Sequence, residues 1–108
     1  RPKRQFLYVE DLAKLVKFYL RNFDSMPSTV NYGSDFNYSV VDYHKKIFKI
    51  ICGKINKNVF TKNKNYPDGV LSKKISSNKL RDFYKIKNTS FEKSILKTYK
   101  YYRDKYYE

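Results

Sequence analysis

The residues that could do chemistry in this 108-residue chain are few. There is one histidine and one cysteine, His44 and Cys52, eight positions apart. On a helix that spacing places them on one face about two turns apart, too far for a nucleophile to share a proton with its base. One His and one Cys also cannot assemble a metal site. Both read as packing residues, a core histidine and a small buried thiol. Tyr101 and Lys105 have the Tyr-x-x-x-Lys spacing in which a lysine lowers a tyrosine pKa so that the tyrosine can move a proton. With 12 tyrosines in so lysine-rich a chain, chance matches are expected, and this one sits near the chain end. It reads as a wet helix face. The three glycines, 33, 53 and 69, are scattered, whereas a phosphate-cradling loop needs them clustered between a strand and a helix.

Charge is the next signal. Lys and Arg number 24 against 10 acidic residues, a formal charge of +14. Counterion release from a nucleic acid is one use for such a balance. The charge is spread along the chain, however, and abundant Lys, Asn, Tyr and Ile reflect A/T-rich coding, so a nucleic-acid partner is the lesser reading. No apolar run has membrane-spanning length. A single cysteine excludes an internal disulfide and fits a cytoplasmic setting. The opening Arg1-Pro2-Lys3-Arg4, with no Met, suggests a piece of a longer protein. The length suits one domain, residues 1–108.

The elements that must position any site follow from periodicity. Residues 4–9 read as a short strand. Glu10-Asp11 opens a helix whose Leu12, Leu15, Val16, Tyr19, Leu20 and Phe23 form one apolar stripe, a core or subunit-interface face. Thr29-Val30-Asn31-Tyr32 reads as a brief strand leading to Gly33. Ser39 with Asp42 forms a capping box for a helix to about Ile51, with Val40, His44, Ile47, Phe48 and Ile51 on one face and Gly53 at its C-terminal end. Asn58-Val59-Phe60-Thr61 reads as another short strand. Tyr66-Pro67-Asp68-Gly69 is a turn by composition. A short helix is predicted around residues 78–83. A capping box over Thr89-Ser90-Phe91-Glu92 starts a last helix carrying Phe91, Ile95, Tyr99, Tyr102 and Tyr106. The order predicts an α/β fold, short strands with three to four helices.

Two segments carry a more specific likeness. Arg1-Pro2-Lys3-Arg4-Gln5-Phe6-Leu7-Tyr8-Val9-Glu10-Asp11-Leu12-Ala13 resembles the Pro-x-Arg-Glu-Phe-Leu-His-Val-Asp-Asp-Leu-Ala stretch of GDP-L-fucose synthases and other nucleotide-sugar epimerases. Tyr66-Pro67-Asp68-Gly69 with Lys73 and Lys79-Leu80 resembles the Lys-Pro-Asp-Gly-Thr-Pro-Arg-Lys stretch near the end of GDP-L-fucose synthases. Between them, Val30-Asn31-Tyr32-Gly33 is similar to the family's Asn-Val-Gly element, Ser39-Val40 to the helix start after it, and Thr98 to Tyr102 to its Thr-Tyr-x-Trp-Phe end. Ser72 stands where the family has Arg, Ser76 where it has Asp, Tyr8 where it has His, and Val70-Leu71 where it has Thr-Pro.

The resemblance implies the carboxy-terminal substrate-binding part of an extended short-chain dehydrogenase/reductase, lacking most of the Rossmann sheet. NADP would be held by an amino-terminal Rossmann domain, which would also carry the catalytic Ser, Tyr and Lys. The 108 residues alone are then expected to be inactive and to bind no cofactor. The implied substrate is a GDP-sugar. Arg4 resembles the family's phosphate-contacting arginine, Lys73 its loop lysine near the diphosphate or sugar, and Asp68 an acceptor for base or ribose. The parent enzyme is expected to be a homodimer. Two other readings stand beside this one: a UDP-sugar epimerase or dehydratase of the same superfamily, and a stand-alone basic module for RNA or DNA, whose affinity would fall steeply with salt.

Overall fold

The computed structural model describes residues 2–54 and 60–107. The elements run β1 (Lys3–Arg4), α1 (Val9–Arg21), a single 3-10 turn (Phe23–Ser25), β2 (Tyr38–Ser39), α2 (Val40–Cys52), α3 (Asn78–Arg81) and α4 (Phe91–Tyr106). β1 and β2 pair antiparallel, Lys3 opposite Ser39 and Arg4 opposite Tyr38. On the other side of β1, Lys3 forms a parallel bridge with Ser72. Its N–H donates to Leu71 O at 2.8 Å, and its carbonyl accepts from Lys73 N at 3.3 Å. Lys3 is therefore the middle rung of a three-stranded ladder reduced to its shortest form.

The helix signals hold where they are local. Ser39 Oγ accepts from Asp42 N at 3.1 Å and donates to the Asp42 carboxylate at 2.6 Å, so Ser39 caps α2, with the Asp42 carboxylate on the cap hydroxyl. Gly53 closes α2 at φ 78° with its N–H on Lys49 O, a left-handed position that costs other L-residues about 1–2 kcal/mol. α4 starts one residue later than the spacing predicts. Ser90 is its cap, accepting from Lys93 N, because Thr89 is held elsewhere: its N–H and hydroxyl both donate to the Asp11 carboxylate, at 2.9 and 2.7 Å. Asp11 is buried, and these bonds from the head of α4 satisfy it. A residue expected only to complement the α1 dipole thus joins α1 to α4. Across the surface above it, Lys97 Nζ and Glu10 Oε2 pair at 3.1 Å.

The strand expectations hold less well. The strand predicted over residues 4–9 shortens to Lys3–Arg4, because the Gln5 side chain takes over the pairing and Tyr8 becomes the residue before α1. Residues 29–32 form no strand, since nothing among the described residues pairs with their backbone. Of the strand predicted over residues 58–61, Asn58 and Val59 lie outside the described residues, and Phe60 and Thr61 are not in a strand.

The fully buried apolar side chains are Tyr43 and Leu80, with Leu15 nearly so. Tyr43 of α2 is the hub. Its ring stacks on Phe6 at 4.1 Å and meets Tyr38 and Phe91 at 5.3 and 5.6 Å. The stripe expected on α2 is half-buried at Val40, Ile47, Phe48 and Ile51, while His44 and Cys52 are exposed and not core residues. His44 lies parallel to the Phe60 ring at 6.0 Å. On α4, Phe91 and Ile95 are half-buried, but Tyr99, Tyr102 and Tyr106 are exposed. Lys105 Nζ does reach Tyr101 Oη at 3.2 Å, on an open helix surface.

Candidate functional site

The ladder at Lys3 is what builds the site. By holding Leu71 and Lys73 against β1, it brings the segment that follows Asp68 to the neighbouring Arg4; the turn expected at residues 66–69 falls earlier, at residues 64–66. Arg4 Nη1 donates to Lys3 O at 2.7 Å and to Val70 O at 2.8 Å. A methyl group added at Gly69 would stand 3.7 Å from Arg4 Nη2. The guanidinium therefore rests against the residue that follows Asp68. Gly69 itself has φ 72°, a left-handed conformation that favours glycine. Arg4 is half-buried; Asp68 and Lys73 are exposed. Among the described residues Arg4 spends only Nη1 on the protein, and no ion pair joins it to Asp68. Nε and Nη2 keep donors for an outside acceptor, in the fork geometry that matches a phosphate.

Behind this edge lies a second clasp, between residues 70 positions apart. Gln5 Oε1 accepts from Ile75 N at 2.6 Å, and Gln5 Nε2 donates to Ile75 O at 3.2 Å and to Ser34 O at 2.8 Å. One amide side chain thereby stands in for a strand rung. Gly33 N donates to Ser77 Oγ at 2.9 Å, and the same hydroxyl donates back to Gly33 O at 3.1 Å, both within buried surroundings. Gly33 admits no side chain, because a Cβ there would lie 2.5 Å from Ile75 O. Gln5 and Ser77 were not singled out by sequence reasoning. The only trace was Gly33 after a strand-like run; nothing local links it to residue 75.

A polar chain runs along the same side. Tyr32 Oη donates to Asn88 Oδ1 at 2.6 Å, Asn88 Nδ2 donates to Asp35 Oδ2 at 2.8 Å, and Asp35 pairs with Arg81 at 3.5 Å. Burial, and then the negative charge of Asp11, push the Tyr32 phenol up to about 12. An unfolded tyrosine ionises near 10, so between pH 10 and 12 the folded state holds the extra proton. The contribution of Tyr32 to stability is then fully present below pH 10 and is lost as pH rises toward 12. Burial raises Tyr8 and Tyr43 as well, so phenolate absorbance should show a late-titrating fraction, and Tyr32→Phe should diminish it and flatten the loss of stability above pH 10. A normal titration of all twelve tyrosines would contradict this.

The three glycines are committed to a close backbone contact, a helix end and a turn, so these residues do not form a dinucleotide cradle. No group of three or more His, Cys, Asp or Glu side chains suited to a metal occurs among the described residues. No helix is long and apolar enough to cross a membrane among the described residues.

Against this geometry the comparisons can be set. Over 100 residues, 93% of the chain, the sequence is 33% identical to the GDP-L-colitose synthase of Yersinia pseudotuberculosis. The chain spans about a third of that enzyme, 32% of its length. No family model and no solved structure matches.

Proposed function

We propose that the chain is the substrate-binding part of an NADP-dependent nucleotide-sugar epimerase/reductase resembling GDP-L-fucose synthase. The observation that carries this reading is the bond from Arg4 Nη1 to Val70 O, which seats the guanidinium beside the Pro67-Asp68-Gly69 segment. The similarity to an enzyme whose name contains a GDP-sugar supports it independently.

Each residue then has a chemical task. Arg4 directs its free donors at the diphosphate, where charge-assisted bonds are strongest. Lys73, one residue beyond the Ser72 rung, supplies a mobile positive charge to the same anion. Asp68 accepts from hydroxyl or N–H groups of ribose or base. The nicotinamide, when bound to the amino-terminal Rossmann domain, supplies hydride. The catalytic Ser, Tyr and Lys belong to that domain too, and the 108 residues alone turn nothing over.

The test installs the 108 residues in place of the matching 100 of the Yersinia enzyme and measures GDP and UDP binding by calorimetry. GDP should bind more tightly. Arg4→Ala should weaken GDP by about tenfold to a hundredfold, the loss of one or two hydrogen bonds to a charged group at about 1.5–3 kcal/mol. Lys73→Ala should cost less and lose its effect as salt rises. GDP binding untouched by Arg4→Ala would refute the site, and tighter UDP binding would reassign the nucleotide.

A further inference from the structure

The ladder behind the anion site ends one rung early, and a side chain completes it. In a parallel pair the bonds are evenly spaced, one residue serving both neighbours of its partner. Lys3 does this with its backbone, its N–H on Leu71 O and its carbonyl on Lys73 N. The next rung, two residues on, would bring the Gln5 carbonyl to Ile75 N. Instead Ile75 N donates to the Gln5 side-chain oxygen at 2.6 Å. The nitrogen of the same amide donates to Ile75 O at 3.2 Å and to Ser34 O at 2.8 Å. Both hydrogens of Gln5 Nε2 are thus used on the protein, and the amide has none to offer a ligand.

The polarity of these bonds selects the residue type. One is accepted and two are donated, which an amide can do and a carboxylate cannot. The Pro-x-Arg-Glu-Phe stretch that residues 2–6 resemble has Glu at this place. A carboxylate would keep the bond from Ile75 N and turn its other oxygen toward two carbonyls. The location matters as much as the polarity. Arg4 grips residue 70 through Nη1, Lys3 holds residues 71 and 73, and Gln5 holds residue 75. Lys73 therefore lies on a six-residue segment fixed at both ends by consecutive side chains of β1 and its exit. Ser34, the third point of the clasp, follows Gly33, whose N–H and carbonyl are both taken by Ser77 Oγ.

We propose that Gln5 is a positioning residue of the anion site, its amide holding Lys73 beside Arg4 through the bonds it donates to Ile75 and Ser34. The proposal rests on the reading of Arg4 and Lys73 as the diphosphate site. It makes a distinctive prediction for Gln5→Glu. A protonated carboxyl regains one donor while its other oxygen still accepts from Ile75 N, so the folded protein favours the acid form. The folded pKa of that carboxyl then stands above the unfolded value of about 4.3. The clasp is closed at low pH and opens as pH rises through the raised value. The charged groups lining the cleft beside the amide are Asp35, Lys74 and Arg81. Asp35 and Arg81 pair with each other at 3.5 Å, and Lys74 is exposed, where its opposing charge is screened.

The chimera described above provides the test, with GDP affinity measured against the parent chimera at each pH. Gln5→Glu should weaken GDP about tenfold at about pH 7.5, the loss of one or two hydrogen bonds. That deficit should shrink to about threefold or less at about pH 5, as the carboxyl takes up its proton. Gln5→Met, which keeps the length of the side chain and makes neither kind of bond, should weaken GDP alike at every pH. The amides of Lys73 and Ile75 should lose about tenfold in exchange protection in both variants at the higher pH. A merely structural role for Gln5 would lower the melting temperature and leave the affinity ratio flat with pH. A flat ratio for Gln5→Glu, or parental GDP affinity in both variants, would overturn the proposal and leave the functional reading standing. Gln5→Met covers the case in which Gln5→Glu does not fold at the higher pH, since parental affinity in Gln5→Met alone then overturns the proposal. A parent chimera that binds no GDP sinks the functional reading, and the proposal falls with it.

Discussion

Tyr43→Ala is expected to destabilise the protein by about 3–5 kcal/mol, the range for removing a fully buried aromatic side chain. The ring is wholly enclosed and is the one contact shared by Phe6, Tyr38 and Phe91, so its loss opens the centre of the aromatic cluster. The hydroxyl adds a directional role, donating to Arg4 O at 2.7 Å with Phe36 O nearby at 3.1 Å. Tyr43→Phe separates the two parts. It keeps the ring and should cost about 1–2 kcal/mol, because the buried Arg4 carbonyl loses a partner. It should also weaken nucleotide binding more than a remote substitution of equal cost, because Arg4 is the residue whose backbone it holds. Urea unfolding of the three proteins measures the first effect. A Tyr43→Ala cost below about 1 kcal/mol would mean the cluster is not the core.

Gly33→Ala is expected to cost about 3 kcal/mol, at the upper end of overpacking. The new methyl would meet Ile75 O at 2.5 Å and the Gln5 amide at 2.9 Å. A backbone oxygen cannot rotate aside, so either the Gln5 clasp opens or residue 75 moves. Both loosen the segment that carries Lys73 and the Arg4 contact at Val70. Gly53 is the contrasting control. Its Cβ would meet nothing within 4 Å, so Gly53→Ala should show only the left-handed dihedral cost of about 1–2 kcal/mol and leave nucleotide affinity alone. Amide exchange at Lys3, Lys73 and Ile75, together with GDP binding by the chimera, reads both effects. Equal consequences at the two glycines would contradict the assignment of Gly33 to a close approach.

The two predictions differ in how readable they were. Ser39, Asp42 and Gly53 announce α2 because capping is settled within four residues of chain. α4 was legible for the same reason, although its start was displaced by one residue when Asp11, 78 positions away, claimed Thr89. Tyr43 lies outside the stripe that periodicity marks on α2, Val40, His44, Ile47, Phe48 and Ile51. The packing of Phe6 and Phe91 turned that side inward. The stripe on α1 was read as a core or subunit-interface face. Its periodicity was real, but only Leu15 of the six residues is buried within this chain, and periodicity alone does not say which polypeptide covers a face.

By itself, then, the sequence determined the four helices, the caps at Ser39 and Gly53 and the basic character of the chain, because each depends on composition or on neighbours within a turn or two. It also supplied Arg4, Asp68 and Lys73 by resemblance. Only the tertiary structure decided that Arg4 rests beside Gly69, that Gln5 clamps Ser34 and Ile75, and that Gly33 leaves no room for a methyl group. Those are contacts between segments up to 70 residues apart. Their geometry is set by hydrogen-bond closure of the short ladder at Lys3, and no local pattern of residue types encodes which distant carbonyl a side chain will meet.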